Sequence, residues 1–154
     1  MSTGRRLFTR TNHHHGAPAR LPYRRRSSLL SEGEQCFYRA LFAAVGHTYG
    51  ISLKTRLADL IKCPDRLWNG TPGRRVAQKH VDFVLYDLKT ARIIAAIELD
   101  DRSHQRPERQ VRDAFFDEAL SAAGVLLLRV RASSQYNPYA IRRYIELATS
   151  HRPR

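Results

Sequence analysis

Residues 80–104, HVDFVLYDLKTARIIAAIELDDRSH, hold acids where the surrounding pattern calls for burial. Two apolar runs flank a polar turn. Asp82 lies inside the first run, Glu98, Asp100 and Asp101 close the second, and His104 follows. Strand alternation puts His80, Asp82, Val84 and Tyr86 on one side, with Val81, Phe83 and Leu85 on the other. In the second run Ile94, Ala96, Glu98 and Asp100 share a side. A turn centred near Lys89 or Thr90 sets Asp82 opposite Ala96 or Glu98, and either register brings the two acids together. Two carboxylates in a sheet repel, and one holds a proton unless a cation compensates. Hard oxygen donors favour magnesium, Mg²⁺, or Mn²⁺ or Ca²⁺, over zinc. Asp82, Glu98 and one carbonyl, such as that of Leu99, half-fill an octahedron and leave places for water and a phosphate oxygen. A metal so held lowers the pKa of its water and stabilises charge on phosphate. The other reading of the pair is of strand-end carboxylates bonded to arginine or to backbone.

The elements that must position these residues are legible around them. Ser31 to Val45 has the pattern of a helix, with Phe37, Leu41 and Val45 one stripe apart. Ser31 and Glu34 form a capping box, which leaves Glu34 open to two readings, a cap or a contributor to the site. Ile51 to Leu57 reads as a strand with a short helical turn after it, and 62–77 as a basic loop containing Asn69-Gly70 and Pro72-Gly73. Trp68 in that loop is expected to fold back on the core; stacking on a base is the alternative. Residues 80–86 and 92–100 form a hairpin, apolar on both faces and so central in its sheet. Pro107 to Ala123 is a helix ended by Gly124, Val125 to Val130 a buried strand, and Tyr139 to about Thr149 a last helix behind an Asn137-Pro138 cap. The order is α-β-β-β-α-β-α, an α/β (α+β) domain with a mixed central sheet flanked by helices, and a right-handed crossover through the second long helix.

A chain of 154 residues has room for one such domain. Its formal charge of +13 points to a polyanion, nucleic acid ahead of an anionic membrane. Seven of those charges are arginines in residues 1–31, which hold no acid, so +6 stays on residues 32–154. Residues 1–28 read as a disordered basic arm that contacts nucleic acid or is simply solvated, and 29–150 as the domain. The arm's arginines also resemble the start of a targeting segment, but no apolar stretch follows Arg5-Arg6. His13, His14 and His15 are too few for a metal site. Cys36 and Cys63 make no disulfide framework; a buried free thiol is expected at Cys36, in keeping with a reducing, cytoplasmic compartment.

Three segments together, VDFVL, AAIELDDRSH and RDAFFDEALSAAGVLLLRV, resemble the PD-(D/E)xK nuclease superfamily. The likeness is strongest to the branch related to very-short-patch repair endonucleases, and to a bacterial domain family of unknown function within it. It spans roughly residues 29–131. It implies a restriction-endonuclease-like core, DNA as substrate, and catalysis by Asp82 and Glu98 on a divalent metal, with Glu34 as an acid supplied by the first helix. The motif's lysine position holds Asp100. The resemblance implies that Asp100 and His104 take over part of the lysine's work, His104 as general base or as acid to the leaving oxygen. His104 is equally readable as a loop histidine bonded to Asp100 or Asp101.

The expected activity is therefore metal-dependent hydrolysis of phosphodiesters, DNA ahead of RNA. Arg74, Arg75, Lys79, Arg102 and Arg106 are candidate nucleic-acid contacts, and Lys79 is an alternative phosphate ligand. Asp113 reads as a surface acid paired with Arg109. The competing function is a nucleic-acid-binding module that keeps the nuclease fold without its activity, for which the absent lysine argues. A peripheral membrane role rests on the basic arm alone, and no apolar run has the length of a membrane span.

Overall fold

Helix α1 (Glu32–Val45) starts where Ser31 can cap it: Ser31 Oγ accepts from Glu34 N–H at 3.4 Å and Glu34 Oε2 accepts from Ser31 N–H at 2.8 Å. The structure is a computed structural model that describes residues 21–100 and 107–150, with side chains in the second stretch described from 114 onward. After α1 come β1 (Tyr49–Arg56), three short helices α2 (Leu57–Leu60), α3 (Asp65–Trp68) and α4 (Thr71–Ala77), and the hairpin β2 (His80–Asp87) and β3 (Ile93–Asp100). Then follow α5 (Pro107–Ala122), β4 (Leu127–Arg131) and α6 (Pro138–Ser150). The four strands lie in the order β1-β2-β3-β4. β1, β2 and β3 are antiparallel neighbours, and β4 runs parallel to β3 after the α5 connection.

The mixed sheet between helices agrees with the α/β expectation. The hairpin strands are indeed the two central ones. The stretch 62–77 is not a simple loop, because α3 and α4 form within it and add elements to the expected order. Gly70 and Pro72, read as turn signals, instead open α4, where proline's fixed φ suits a first turn. Trp68 is 42% exposed and belongs to neither core cluster, so it does not fold back on the core. Cys36 is half-buried rather than buried, and its Sγ lies 3.2 Å from Ser134 O, to which the thiol donates. Residues 21–28 form no helix or strand and are exposed; the rest of the basic arm, with its histidines, lies outside the described residues.

Each face of the sheet has its own core. α1 and α6 cover Phe83, Leu85, Ala95, Ile97 and Leu128, to which they add Phe37, Leu41 and Ile145. The opposite face packs Val84 and Ala96 against Leu57, Val76, Phe116 and Leu120. Val81 joins this second cluster, although alternation assigns it to the side of Phe83. The regular pleat therefore breaks between Val81 and Phe83, at Asp82.

Gly73 marks where α4 meets α3. A Cβ built there lies 1.9 Å from Trp68 O, a backbone atom that cannot swing aside. One at Gly33 in α1 meets nothing within 4 Å. Gly73→Ala is expected to lower stability by about 1–3 kcal/mol in urea titrations, whereas Gly33→Ala leaves it unchanged or raises it.

Candidate functional site

The β2–β3 ladder pairs Val84 with Ala96 and Phe83 with Ile97. Continued by one step, this register sets Asp82 opposite Glu98, the second of the two expected alternatives. There the backbone bonds give way to side chains. Asp82 N–H donates to Glu98 Oε1 at 3.1 Å, and Leu99 N–H donates to Asp82 Oδ2 at 3.0 Å. The two carboxylates thus take the acceptor places that a continuing ladder would fill with carbonyls. The Asp82 and Glu98 of the sequence reading are brought together, held in reciprocal bonds to each other's strand.

A lysine that sequence reasoning missed completes the cluster. Lys54 Nζ donates to Asp82 Oδ1 at 2.6 Å and to Glu34 Oε1 at 2.5 Å. Glu34 therefore serves both readings offered for it: one oxygen caps α1 and the other reaches the sheet. Lys54 lies between Leu53, paired with Phe83, and Thr55, paired with Val81, and has φ 49°. This left-handed conformation costs a non-glycine residue roughly 1–2 kcal/mol. It also takes Lys54 out of the plain alternation of an edge strand, where a lysine ordinarily just faces water. The available signal was a lysine within an otherwise half-apolar strand, YGISLKTR, beside the strand that carries Asp82.

The charges respond to this arrangement. Burial works to raise the Glu34 carboxyl, but hydrogen bonds from Lys54 and Ser31 prevail and hold it below its ordinary value. Burial works to lower the Lys54 ammonium, and its bonds to Asp82 and Glu34 prevail and raise it. Glu98 moves the other way. Burial and then the nearby Asp82 charge push it up to about 7, against the opposing pull of the Asp82 N–H, Arg129 and Lys54. The carboxylate repulsion expected of the pair is thus the second contribution on Glu98, after burial.

The remaining candidates are more scattered. Asp100 ends β3, half-buried, opposite Arg131 of β4, and its carbonyl accepts from Ala132 N–H at 3.1 Å. His104, Arg102, Arg106 and Asp101 lie outside the described residues, as do the side chains of Arg109 and Asp113. Arg74 is exposed on α4. The Arg75 guanidinium stacks 3.8 Å above the Phe115 ring, and the Lys79 ammonium lies 5.9 Å from the Phe116 ring centroid. These two cations therefore line the α5 side of the sheet rather than meeting at the acid pair.

Among the described residues no group of three or more His, Cys, Asp and Glu side chains forms a ready-made metal cage. Lys54 stands between Glu34 and Asp82, where a third ligand would otherwise converge. The donors still fit a hydrated Mg²⁺ or Mn²⁺, because such ions use one or two carboxylates and complete their shell with water and phosphate. Leu99, expected to lend its carbonyl, contributes its N–H to Asp82.

A mixed sheet that ends in a carboxylate pair and a lysine is thus the candidate site of an α/β domain. The chain belongs to the family described as "Protein of unknown function (DUF2726)", whose model matches residues 26–148. No curated protein and no solved structure matches it. Among the described residues no helix is long and apolar enough to cross a membrane.

Glu98 should leave a signature in the pH dependence of stability. Its ordinary value is 4.5 and its folded value about 7, so the native state holds the extra proton between them. Stability from this group is fully present below 4.5 and is lost as pH rises through 7. Glu98→Gln keeps an oxygen for the Asp82 N–H and removes the titration. Urea midpoints should show the variant gaining on the wild type between about pH 5 and about pH 8, by on the order of 3 kcal/mol at most. A constant difference across that range contradicts the assignment.

Proposed function

We propose that the chain is a metal-dependent nuclease that hydrolyses phosphodiester bonds in DNA, with Asp82 and Glu98 as the ligands of Mg²⁺ or Mn²⁺. The observation that carries this reading is the reciprocal Asp82–Glu98 pair at the end of the β2–β3 ladder, with the Lys54 ammonium 2.6 Å from Asp82. Paired acids and a lysine are the chemical content of the PD-(D/E)xK motif that the sequence resembles. Here the lysine comes from β1, while Asp100 stands at the usual place. The net charge of +13 supports a nucleic-acid substrate. A cytoplasmic, nucleoid-associated setting without membrane contact is the matching proposal for location.

When bound, the metal would supply an activated water and charge neutralisation on the phosphate. Asp82 and Glu98, whose carboxylates are fixed by bonds from backbone amides, would hold the ion. Lys54, once turned from the carboxylates to a phosphate oxygen, would place positive charge beside the non-bridging oxygens that carry the negative charge of the pentacoordinate transition state. In hydrolysis the water oxygen bonds to phosphorus, the P–O bond to the leaving oxygen breaks and that oxygen takes a proton from an acid or from solvent, and the attacking water's own proton passes to a base. Asp100 and His104 are the proposed partners for that proton. Exposed Arg74 and the cations of the α4–α5 side would hold the backbone of the nucleic acid.

A second reading has an observation of its own. Five of the six oxygens of Glu34, Asp82 and Glu98 already accept a bond from the protein. That arrangement also suits a nucleic-acid-binding module that no longer cleaves.

Plasmid nicking with Mg²⁺ or Mn²⁺ separates the two. The wild type should nick, while Asp82→Ala and Glu98→Ala should each lose about a hundredfold or more. Lys54→Met should also slow nicking while the protein still retains DNA on a filter. A wild type that binds DNA in a salt-sensitive way but nicks with neither metal leaves the binding module standing instead.

A further inference from the structure

The Lys54 ammonium occupies the position that a cation shared by Glu34 and Asp82 would take. It is an internal counter-ion on a flexible stem, and its side chain is 35% exposed, whereas those of Glu34 and Asp82 are 18% and 15% exposed. The anions are held firmly by the backbone: Glu34 by Ser31 N–H, Asp82 by Leu99 N–H. The lysine is attached to them only through its own two bonds. Of the three groups it is the one free to leave toward solvent.

We infer that Lys54 couples the binding of a divalent cation to the binding of a phosphodiester at this site. The inference rests on the nuclease reading and adds an order to it. The ammonium lies 2.6 Å from Asp82 Oδ1, so a cation on that same oxygen would stand close beside it and the two like charges would repel. Moving the lysine out without a new anion leaves an ammonium unpaired beside an incoming cation. A phosphodiester oxygen supplies that anion. It draws Lys54 off Asp82 and Glu34, and the cation then replaces the lysine's charge between the carboxylates. Each ligand makes the other's place, so each raises the affinity of the other by the same factor. In the absence of nucleic acid Lys54 stays in place as the counter-ion shared by Glu34 and Asp82.

The positive φ of Lys54 fits this role. A left-handed residue in the middle of an edge strand is held there by its surroundings, and its two carboxylate bonds are the surroundings that would be released.

Calorimetric titration of the full chain with Mn²⁺, with and without a phosphorothioate DNA duplex that resists hydrolysis, tests the coupling. The wild type should bind Mn²⁺ about tenfold or more tightly with the duplex present, and the duplex more tightly by an equal factor with Mn²⁺ present. Lys54→Gln keeps an amide donor and removes the charge. It should bind Mn²⁺ alone more tightly than the wild type, with coupling reduced to about threefold or less. Lys54→Met serves as the second variant if the glutamine form does not fold, as judged by circular dichroism. Equal coupling in wild type and folded variants overturns the role of Lys54 while leaving the metal site in place. Absence of Mn²⁺ binding in every form, with duplex binding intact, overturns the metal reading and the coupling with it.

Discussion

One ammonium shared by two carboxylates holds the end of this sheet together. Glu34 comes from the first turn of α1 and Asp82 from a central strand, and Lys54 ties both to β1. Without it, two acids from different elements would face each other where burial already disfavours charge. The capping box of α1, the backbone bonds of Asp82 and the backbone conformation of Lys54 converge on this single contact. A left-handed residue and a cluster of opposed charges thus meet at the same point.

The sheet makes that placement possible. Cores on both faces hold β2 and β3 apart from solvent over most of their length. At Asp82 the β2–β3 ladder gives way, while β2 stays paired with β1 as far as His80, and backbone amides become donors for side chains. An acid at such a position is rigid without being fully enclosed. Glu98 is pushed up to about 7 by its burial first and by the nearby Asp82 charge second.

Much of the architecture could be read directly from the residues. Ser31 with Glu34, Gly124 after the second long helix, and Asn137 before the last one bounded helices that the structure contains. The doubly apolar hairpin placed Asp82 beside Glu98 to within one register step, because strand period and turn length leave few choices. The helical turn of α2 was read after the strand, but α3 and α4 were not legible. Their glycines and prolines signal turns equally well, and helices of four to seven residues have little periodicity to detect. Lys54 was not legible for another reason. Its partners are 20 and 28 residues away, and the positive φ that aims it leaves no mark in a Leu-Lys-Thr sequence. The position two residues after Glu98 holds Asp100, and the lysine that meets Asp82 comes instead from β1, the strand beside β2.

Mn²⁺-induced broadening of backbone amide resonances in the full chain, bound to a hydrolysis-resistant duplex, addresses the metal's location most directly. The account predicts selective loss of the Asp82, Phe83 and Leu99 signals, with Leu41 in the α1–α6 core unaffected, and no such pattern in Asp82→Asn. Broadening centred elsewhere, or unchanged by that substitution, would contradict it.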